Sequence, residues 1–532
     1  MIRSQLIAAL FCLSLLSSTL LSQQQQSQPP TPNAPLELPD FLVTGKAVVD
    51  IAAGSKQAPQ KPFRLSTGVL DSLNPTEKFP APNVPNRPLP QFTRDHIVRN
   101  TYVDASFGSY TTPTLMAGHS FRSGDYHIDA SVDGLYSKDW APNASLLTAG
   151  VGLTSSYLAP EKFYLFGKGL TETDVRYRHS QYTLFADSSA PERKTSNFFA
   201  GLTTEAFVND LRYTADIYWN AFNVDDQRSG QIRDQRLHAN LHIPVDRLYA
   251  VSSSIHLQGR DDVSYPYIDV GLTRFFGDSL LHFETKLGAQ YATSTVSEAR
   301  VGVSIDADLF YQVNEHISIA GQLQSGLRAQ SFTEFALQNP YVHSLTLLDL
   351  PYDLARFDVR LKYHPDESLQ MLVKLSGRST LRNPMWVDTT TALLDLVYRD
   401  VIGMSAAVEV HYQPSMNDRF VGSAFLQSVT LEDGNSATYT EPFRLDAAYQ
   451  RQIGSSLHVR VAGQYVGKRY ADVANSLQID AYLNLQFTAK YAIRGGLDVV
   501  FTADNLINST IILWNGYRER SIFVAGGVSW RL

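Results

Sequence analysis

Along residues 98–532 apolar and polar side chains alternate with a period of two, and the pattern returns about every 20 residues. Tyr126, Ile128, Ala130, Val132, Gly134 and Tyr136 hold one parity, and His127, Asp129, Ser131, Asp133 and Ser137 hold the other. The same order recurs in Leu211, Tyr213, Ala215, Ile217, Trp219 and Ala221 against Arg212, Thr214, Asp216, Tyr218 and Asn220, and again from Leu477 to Phe487. Successive side chains of a strand point to opposite faces, so each stretch predicts a strand with one apolar and one polar face. These runs last 9–14 residues. Strands in soluble sandwiches are about half as long, whereas a tilted strand needs ~9–11 residues to cross a bilayer. The polar face decides between the two. Opposite Phe357, Val359, Leu361 and Tyr363 stand Arg356, Asp358, Arg360 and Lys362, charges that a packed core would have to desolvate and a water-filled lumen accepts. The expected fold is all-β: a large transmembrane antiparallel β-barrel.

The connections set the number of strands. Tight ones are read at Arg122–Gly124, Pro244–Arg247, Gly277–Asp278, Val313–Glu315, His364–Glu367, Pro414–Asp418, Ile453–Ser455 and Ile493–Gly495. Longer ones fall between them, at Asn223–Gln231, Gln330–Leu354, Leu431–Thr440 and Leu506–Arg518. Short turns on one rim and long loops on the other are the habit of bacterial outer-membrane barrels. With Phe163–Ala186 taken as one strand and Pro384–Val401 as mostly loop, the count is about 22. An even count brings both ends of the barrel to the periplasm.

Before the alternation begins the chain has a different texture. Arg3 and the apolar stretch Leu6–Leu16, followed by small residues to Ser22, read as a secretory signal over residues 1–22. A single membrane anchor is the alternative. Residues 23–97 are Gln-rich and then Pro-rich and predict an extended periplasmic segment, since Pro denies it both helix and ladder. One island, residues 36–51, is apolar and β-branched and has the composition of a single strand. The only cysteine, Cys12, lies in the signal.

Composition removes several function classes. Charged residues are 18% and aromatics 11%, with as many Tyr as Phe, 27 each. Such a chain presents aromatic surface at polar boundaries. The net charge of -7 leaves no basic surplus for nucleic acid. No Gly-x-Ser-x-Gly elbow, His-Glu-x-x-His helix or phosphate loop is present, so no catalytic residue, metal ligand or cofactor site is assigned. His238 and His242 are the tempting pair, but four residues along a strand span about 13 Å, too far to share an ion. They read as lumen side chains, as does the ladder from Arg356 to Lys362.

The last 60 residues carry a resemblance. Tyr491 before a short turn, then Asn505, Leu506 and Asn508, then Trp514, Gly516 and Tyr517 in a loop leading to the final strand Ile522–Leu532, resemble the closing strands of TonB-dependent receptor barrels. Phe107, Gly108, Ser109 and Tyr110 look like the first barrel strand of that family. The final strand departs by ending in Leu532 where such strands usually end in Phe or Trp. The family also carries a plug of roughly 130 residues ahead of the barrel, for which residues 46–97 have neither the length nor the motifs. Asp40, Phe41, Leu42, Val43, Thr44 and Gly45 nevertheless look like the TonB box, the segment with which the energising protein pairs by β-addition. The competing reading is a strand that docks on another periplasmic partner or on the barrel rim.

The resemblance implies a bacterial outer-membrane protein that takes up an extracellular ligand, with outer-membrane lipid around it and a TonB-type energising protein, or a separate plug or periplasmic partner, beneath it. The alternatives are a non-transporting outer-membrane scaffold or accessory subunit, and a passive porin. Without a plug, the lumen must be closed by infolded loops such as Gln330–Leu354, by the N-terminal arm or by a separate protein.

Overall fold

The structure, a computed structural model, describes residues 100–532 apart from 162, 164–165, 209–210, 228–229, 247, 278–279, 297 and 390–391. Twenty-two long strands run antiparallel, each paired with its neighbours along the chain, from Thr101–Gly108 to Phe523–Arg531. The last strand closes the ring on the first, Tyr102 facing Arg531 and Gly108 facing Ala525. Arg531 binds both oxygens of Asp104 across this seam, at 2.8 and 3.1 Å. A Cβ at Gly108 would stand 2.6 Å from the Phe523 ring, so any larger residue there displaces that ring. Closure leaves no open edge, which is the condition for a sheet to cross lipid.

Connections alternate as expected. On the rim that carries both ends of the barrel they are short, such as 124–125, 315–316, 367–368, 416–417 and 495–496, with 159–166 the exception. Gly495 and Gly496 both have positive φ, +59° and +88°, the demand of a two-residue type I′ turn. The opposite rim carries the long connections 328–351, 432–442, 467–481 and 505–522. By the rule for such barrels the first rim is periplasmic and the second extracellular.

The outward parity forms an apolar belt. Val132, Val151, Ile217, Leu272, Leu287, Val303, Leu375, Met404 and Val528 are all exposed there. Aromatic rings gather at its periplasmic edge: Tyr126 stacks on Tyr157, Phe276 packs on Phe283, and Phe420 lies between Tyr412 and Tyr449. Such rings sit where hydrocarbon meets headgroups. The belt, the girdle and the closed ring together define a bacterial outer-membrane protein.

Three stretches depart from the sequence reading. Pro384–Val401 is strand, not mostly loop: Leu369–Asp388 and Leu394–Ser415 form a hairpin that rises well past the belt. A register shift between Thr380 and Asn383, with Arg382 at φ +53°, breaks the alternation there, because one inserted residue moves every later side chain to the other face. Asn223–Gln231 is mostly strand for a related reason, since Leu211–Asp226 and Gly230–Pro244 run almost into each other. The alternation from Leu477 begins ahead of its strand, which is Tyr482–Arg494.

Candidate functional site

Above the belt the strands change what they point inward. On Leu211–Asp226 the inward residues are Arg212, Thr214, Asp216, Tyr218 and Asn220, then Phe222 and Val224, both buried. At the same height the outward residues become Asn223 and Asp225. The inward apolar side chains at this level join one core with the extracellular loops, including Phe332 and Phe335 of 328–351, Trp386, Tyr439, Val466, Trp514 and Tyr517. Phe222 and Val466 belong to the seventh and nineteenth of 22 strands, nearly opposite each other on the ring. A core that includes both must cross the mouth. Ring contacts trace the crossing: Phe222 to Phe332 at 6.3 Å, Phe335 to Trp386 at 5.7 Å, Trp386 to Trp514 at 5.6 Å and Trp514 to Tyr439 at 4.9 Å. Tyr341 stacks flat on Tyr517 at 3.4 Å. The outer mouth is therefore covered by the chain's own loops.

The centre of this cap is the segment 328–351, with the only helix among the described residues, Phe332–Gln338. Ser331 caps it, its Oγ accepting from Glu334 N. The strand wall holds the segment by polar contacts. Asp234 accepts from Thr333 N at 3.0 Å, Thr333 Oγ1 at 2.6 Å and Tyr265 OH at 2.9 Å. Arg236 pairs with Glu334, and Arg260 donates to the carbonyls of Ser344 and Thr346 while lying over the Phe332 ring. Arg193 and Asp226 form a fully buried ion pair at 2.5 Å, 1% and 0% exposed. Arg193 also donates to the carbonyls of Pro340 and Val342. A buried pair of this kind is costly to break from one side, about 3–5 kcal/mol, since a lone charge is left without water. Together these polar contacts latch the segment to the wall.

Two loop tyrosines join the cap as donors. Burial pushes the Tyr265 and Tyr439 phenols well above the ordinary tyrosine range, and the neighbouring Asp234 and Asp388 carboxylates push the same way. Both stay protonated and keep donating, Tyr439 to Asp388 at 2.6 Å.

The residues singled out from sequence fall in several places. Asp40, Phe41, Leu42, Val43, Thr44 and Gly45 lie outside the described residues. His238 and His242 are not brought together. His238 faces its cross-strand partner His256 at 4.1 Å and stacks on Tyr218, while His242 shares a hydrogen bond with Ser252. No group of three or more His, Cys, Asp or Glu suited to a metal occurs among the described residues. Arg356, Asp358 and Arg360 share the inward face and are buried, Arg360 pairing with Asp358. The C-terminal motif residues build the cap. Asn505 and Asn508 adopt φ of +50° and +55°, and Asn505 ties the loop through Ser509 and Arg520. Asn tolerates that left-handed backbone better than most residues. Trp514 and Tyr517 are core, with Gly516 at φ +82° between them. Asp226, Asp234 and Arg193 escaped the sequence reading, because a charged residue on the inward parity looks the same whether it meets water or a loop.

This geometry defines a closed outer-membrane β-barrel whose outer mouth is spanned by its own loops. No protein-family model and no curated protein matches the sequence. Solved structures match the fold. The ferric-catecholate import receptor Fiu of E. coli K12, closed form, superposes with a TM-score of 0.60 at 10% identity over 82% of each chain. BauA, the ferric preacinetobactin receptor of Acinetobacter baumannii, gives 0.62 at 12% identity over 81% of this chain and 79% of its own. The copper transporter OprC gives 0.60 at 10% identity over 81% and 80%. The particular fold is thus that of a TonB-dependent receptor-like barrel, the likeness the last 60 residues implied.

Proposed function

We propose that this chain carries a ligand inward across the outer membrane, with segment 328–351 and its neighbouring loops as the gate and a periplasmic contact as the source of energy. The observation that carries the reading is the cap itself: a barrel with the fold of import receptors whose mouth is covered by loops held through discrete polar contacts. A gate of that kind opens when its latch is exchanged for ligand contacts or pulled from below. Fiu is a ferric-catecholate import receptor, BauA a ferric preacinetobactin receptor and OprC a copper transporter, so metal chelates are the first ligands to offer.

Within this reading Asp40–Gly45 supplies the periplasmic contact by adding a strand to the energising protein, with backbone hydrogen bonds giving affinity and Phe41 and Val43 setting register. Val43→Pro removes a backbone donor and is expected to weaken that pairing more than Val43→Ala. The test is uptake by cells of a panel of labelled ferric and cupric chelates, with and without a protonophore, for the intact chain and for one lacking residues 36–51. Uptake that needs both the proton-motive force and the island supports the proposal. The scaffold reading draws on residues 46–97, which have neither the length nor the motifs of a plug. It predicts no uptake of any chelate, with a partner recovered on the arm in a pull-down.

A further inference from the structure

Arg236 joins wall to cap, and one of the acceptors that hold it is a histidine. It lies on Gly230–Pro244, faces inward and is buried. Its Nη1 pairs with Glu334 of the cap helix Phe332–Gln338, and its Nη2 lies 2.9 Å from His256 Nδ1 on Tyr249–Arg260. Its Nε is buried with no hydrogen-bond partner among the described residues. The Tyr218 ring lies 5.6 Å from the guanidinium carbon. A guanidinium only donates, so His256 Nδ1 accepts and carries no proton. The ring proton is then on Nε2, 3.0 Å from Ser254 Oγ. Protonation at Nδ1 turns the acceptor into a donor and sets one cation 2.9 Å from another.

The other charged and titratable groups around this ring are committed elsewhere or add to the repulsion. His238, the cross-strand partner of His256, has its ring 4.1 Å away and stacks on Tyr218. Charging both imidazoles at once is opposed by their own repulsion. Tyr267, the partner on the other side, has its ring at 5.0 Å. Asp269, cross-strand from Ser254, is held by Lys286 at 2.7 Å and Gln290 at 2.8 Å. Asp234 is held by Thr333 and Tyr265, and Arg260 by the carbonyls of Ser344 and Thr346. Asp216 stands across from Asn240, one inward position below Tyr218 and His238. Gln258 stands directly opposite Arg236 in the register, and its Oε1 is buried with no partner among the described residues. A displaced guanidinium thus has a second acceptor on the wall.

We propose that His256 makes this part of the cap acid-sensitive: protonation at Nδ1 turns Arg236 away toward Gln258, Glu334 loses its wall partner, and helix Phe332–Gln338 loosens. The Arg193–Asp226 pair contains no histidine and keeps its hold on Pro340 and Val342. The closed arrangement binds one proton fewer than the loosened one, so closure is favoured above the histidine range and lost as pH falls through it. Ordinary carboxylates titrate about two units lower, so the window belongs to histidine. A protonated histidine that biases an element with two arrangements is an established kind of switch. This goes beyond the uptake reading, because it concerns the capped mouth with no ligand and no energising protein.

The test places a nitroxide on the cap helix through Leu337→Cys, an exposed position, in the full chain with Cys12→Ser, reconstituted in liposomes. Spectra at about pH 8 and about pH 5.5 bracket the histidine range. A label at Met416→Cys, exposed in a turn of the opposite rim, is the control. The ratio of mobile to immobile label at position 337 should rise roughly tenfold in acid, with the control unchanged. His256→Asn sets an amide oxygen close to the place of Nδ1 and does not titrate, so the label should stay immobile at both pH values. Glu334→Gln removes the charge that Arg236 holds and should leave the label mobile at both; it serves if His256→Asn fails to fold. His238→Gln should keep the acid response. A label indifferent to pH, or a response that survives in His256→Asn or in Glu334→Gln, overturns the proposal. So does a response abolished by His238→Gln, which puts the proton on the other ring, or an equal change at the control position, which makes it a property of the whole barrel.

Discussion

The belt and the cap are built from the same strands by opposite rules. In the belt Trp219 and Leu237 face out and Tyr218 and His238 face in. Two pairs higher, beyond Ala221 and Gln235, the outward residues are Asn223, Asp225, Gln231 and Arg233, while Phe222, Val224 and Ile232 turn inward and are buried. The backbone does not change. What changes is the solvent on each side: lipid outside and water inside below this level, water outside and packed loops inside above it. The hydrophobic effect favours removing apolar surface from water wherever water is, so the parity that is apolar inverts. The inversion marks the height at which the strand leaves the membrane, and the inward apolar residues above it exist to hold a cap.

Substitutions in the cap and in the belt should fail in different ways. The largest effect belongs to the cap core. Trp386→Ala should destabilise the cap by about 3–5 kcal/mol, read as lost hydrogen-exchange protection across 328–351, with heat-modifiable migration of the barrel unchanged. Asp226→Ala strands Arg193 without its partner in a site closed to water, and about 3–5 kcal/mol is expected again; limited proteolysis should then cut within 328–351. Loss of barrel migration in either variant would mean that cap and wall are one cooperative unit.

In the belt the sensitive change is a charge. Leu287→Arg, on the lipid-facing parity at mid-strand, should cost about 2–4 kcal/mol in urea unfolding from liposomes, whereas Gln231→Arg, above the inversion, should cost about 0–1 kcal/mol. Equal costs would remove the claimed boundary. A smaller effect than that of Leu287→Arg is expected at Asn505→Ala. It forfeits the side-chain ties to Ser509 and Arg520 and places Ala in a left-handed conformation, for about 1–3 kcal/mol.

The comparison also explains what the sequence discloses. Wherever one parity faces lipid and the other water, the alternation is legible, and it yields the barrel, the strand count and the turns at Gly124 and Gly495. It fails where both faces of a strand meet protein or where the apolar parity inverts. Pro384–Val401 reads as loop because the shift at Arg382 moves the pattern by one and because Asn383, Met385 and Trp386 are buried on both parities. Asn223–Gln231 reads as loop because its outward residues are polar, as they must be in water. The C-terminal motif was legible by resemblance, and the structure gives its physical content: two left-handed Asn residues shape a loop that delivers Trp514 and Tyr517 to the cap. The latch was not legible, since Asp226 and Asp234 show their role only when 328–351 is in place.

If the loops that span the mouth close it, single-channel conductance in planar bilayers will show it directly. The full chain should insert and remain nearly silent. A variant in which residues 331–349 are replaced by a short Gly-Ser linker should show large, steady currents. Open-pore currents from the full chain, or continued silence after the replacement, would contradict the claim.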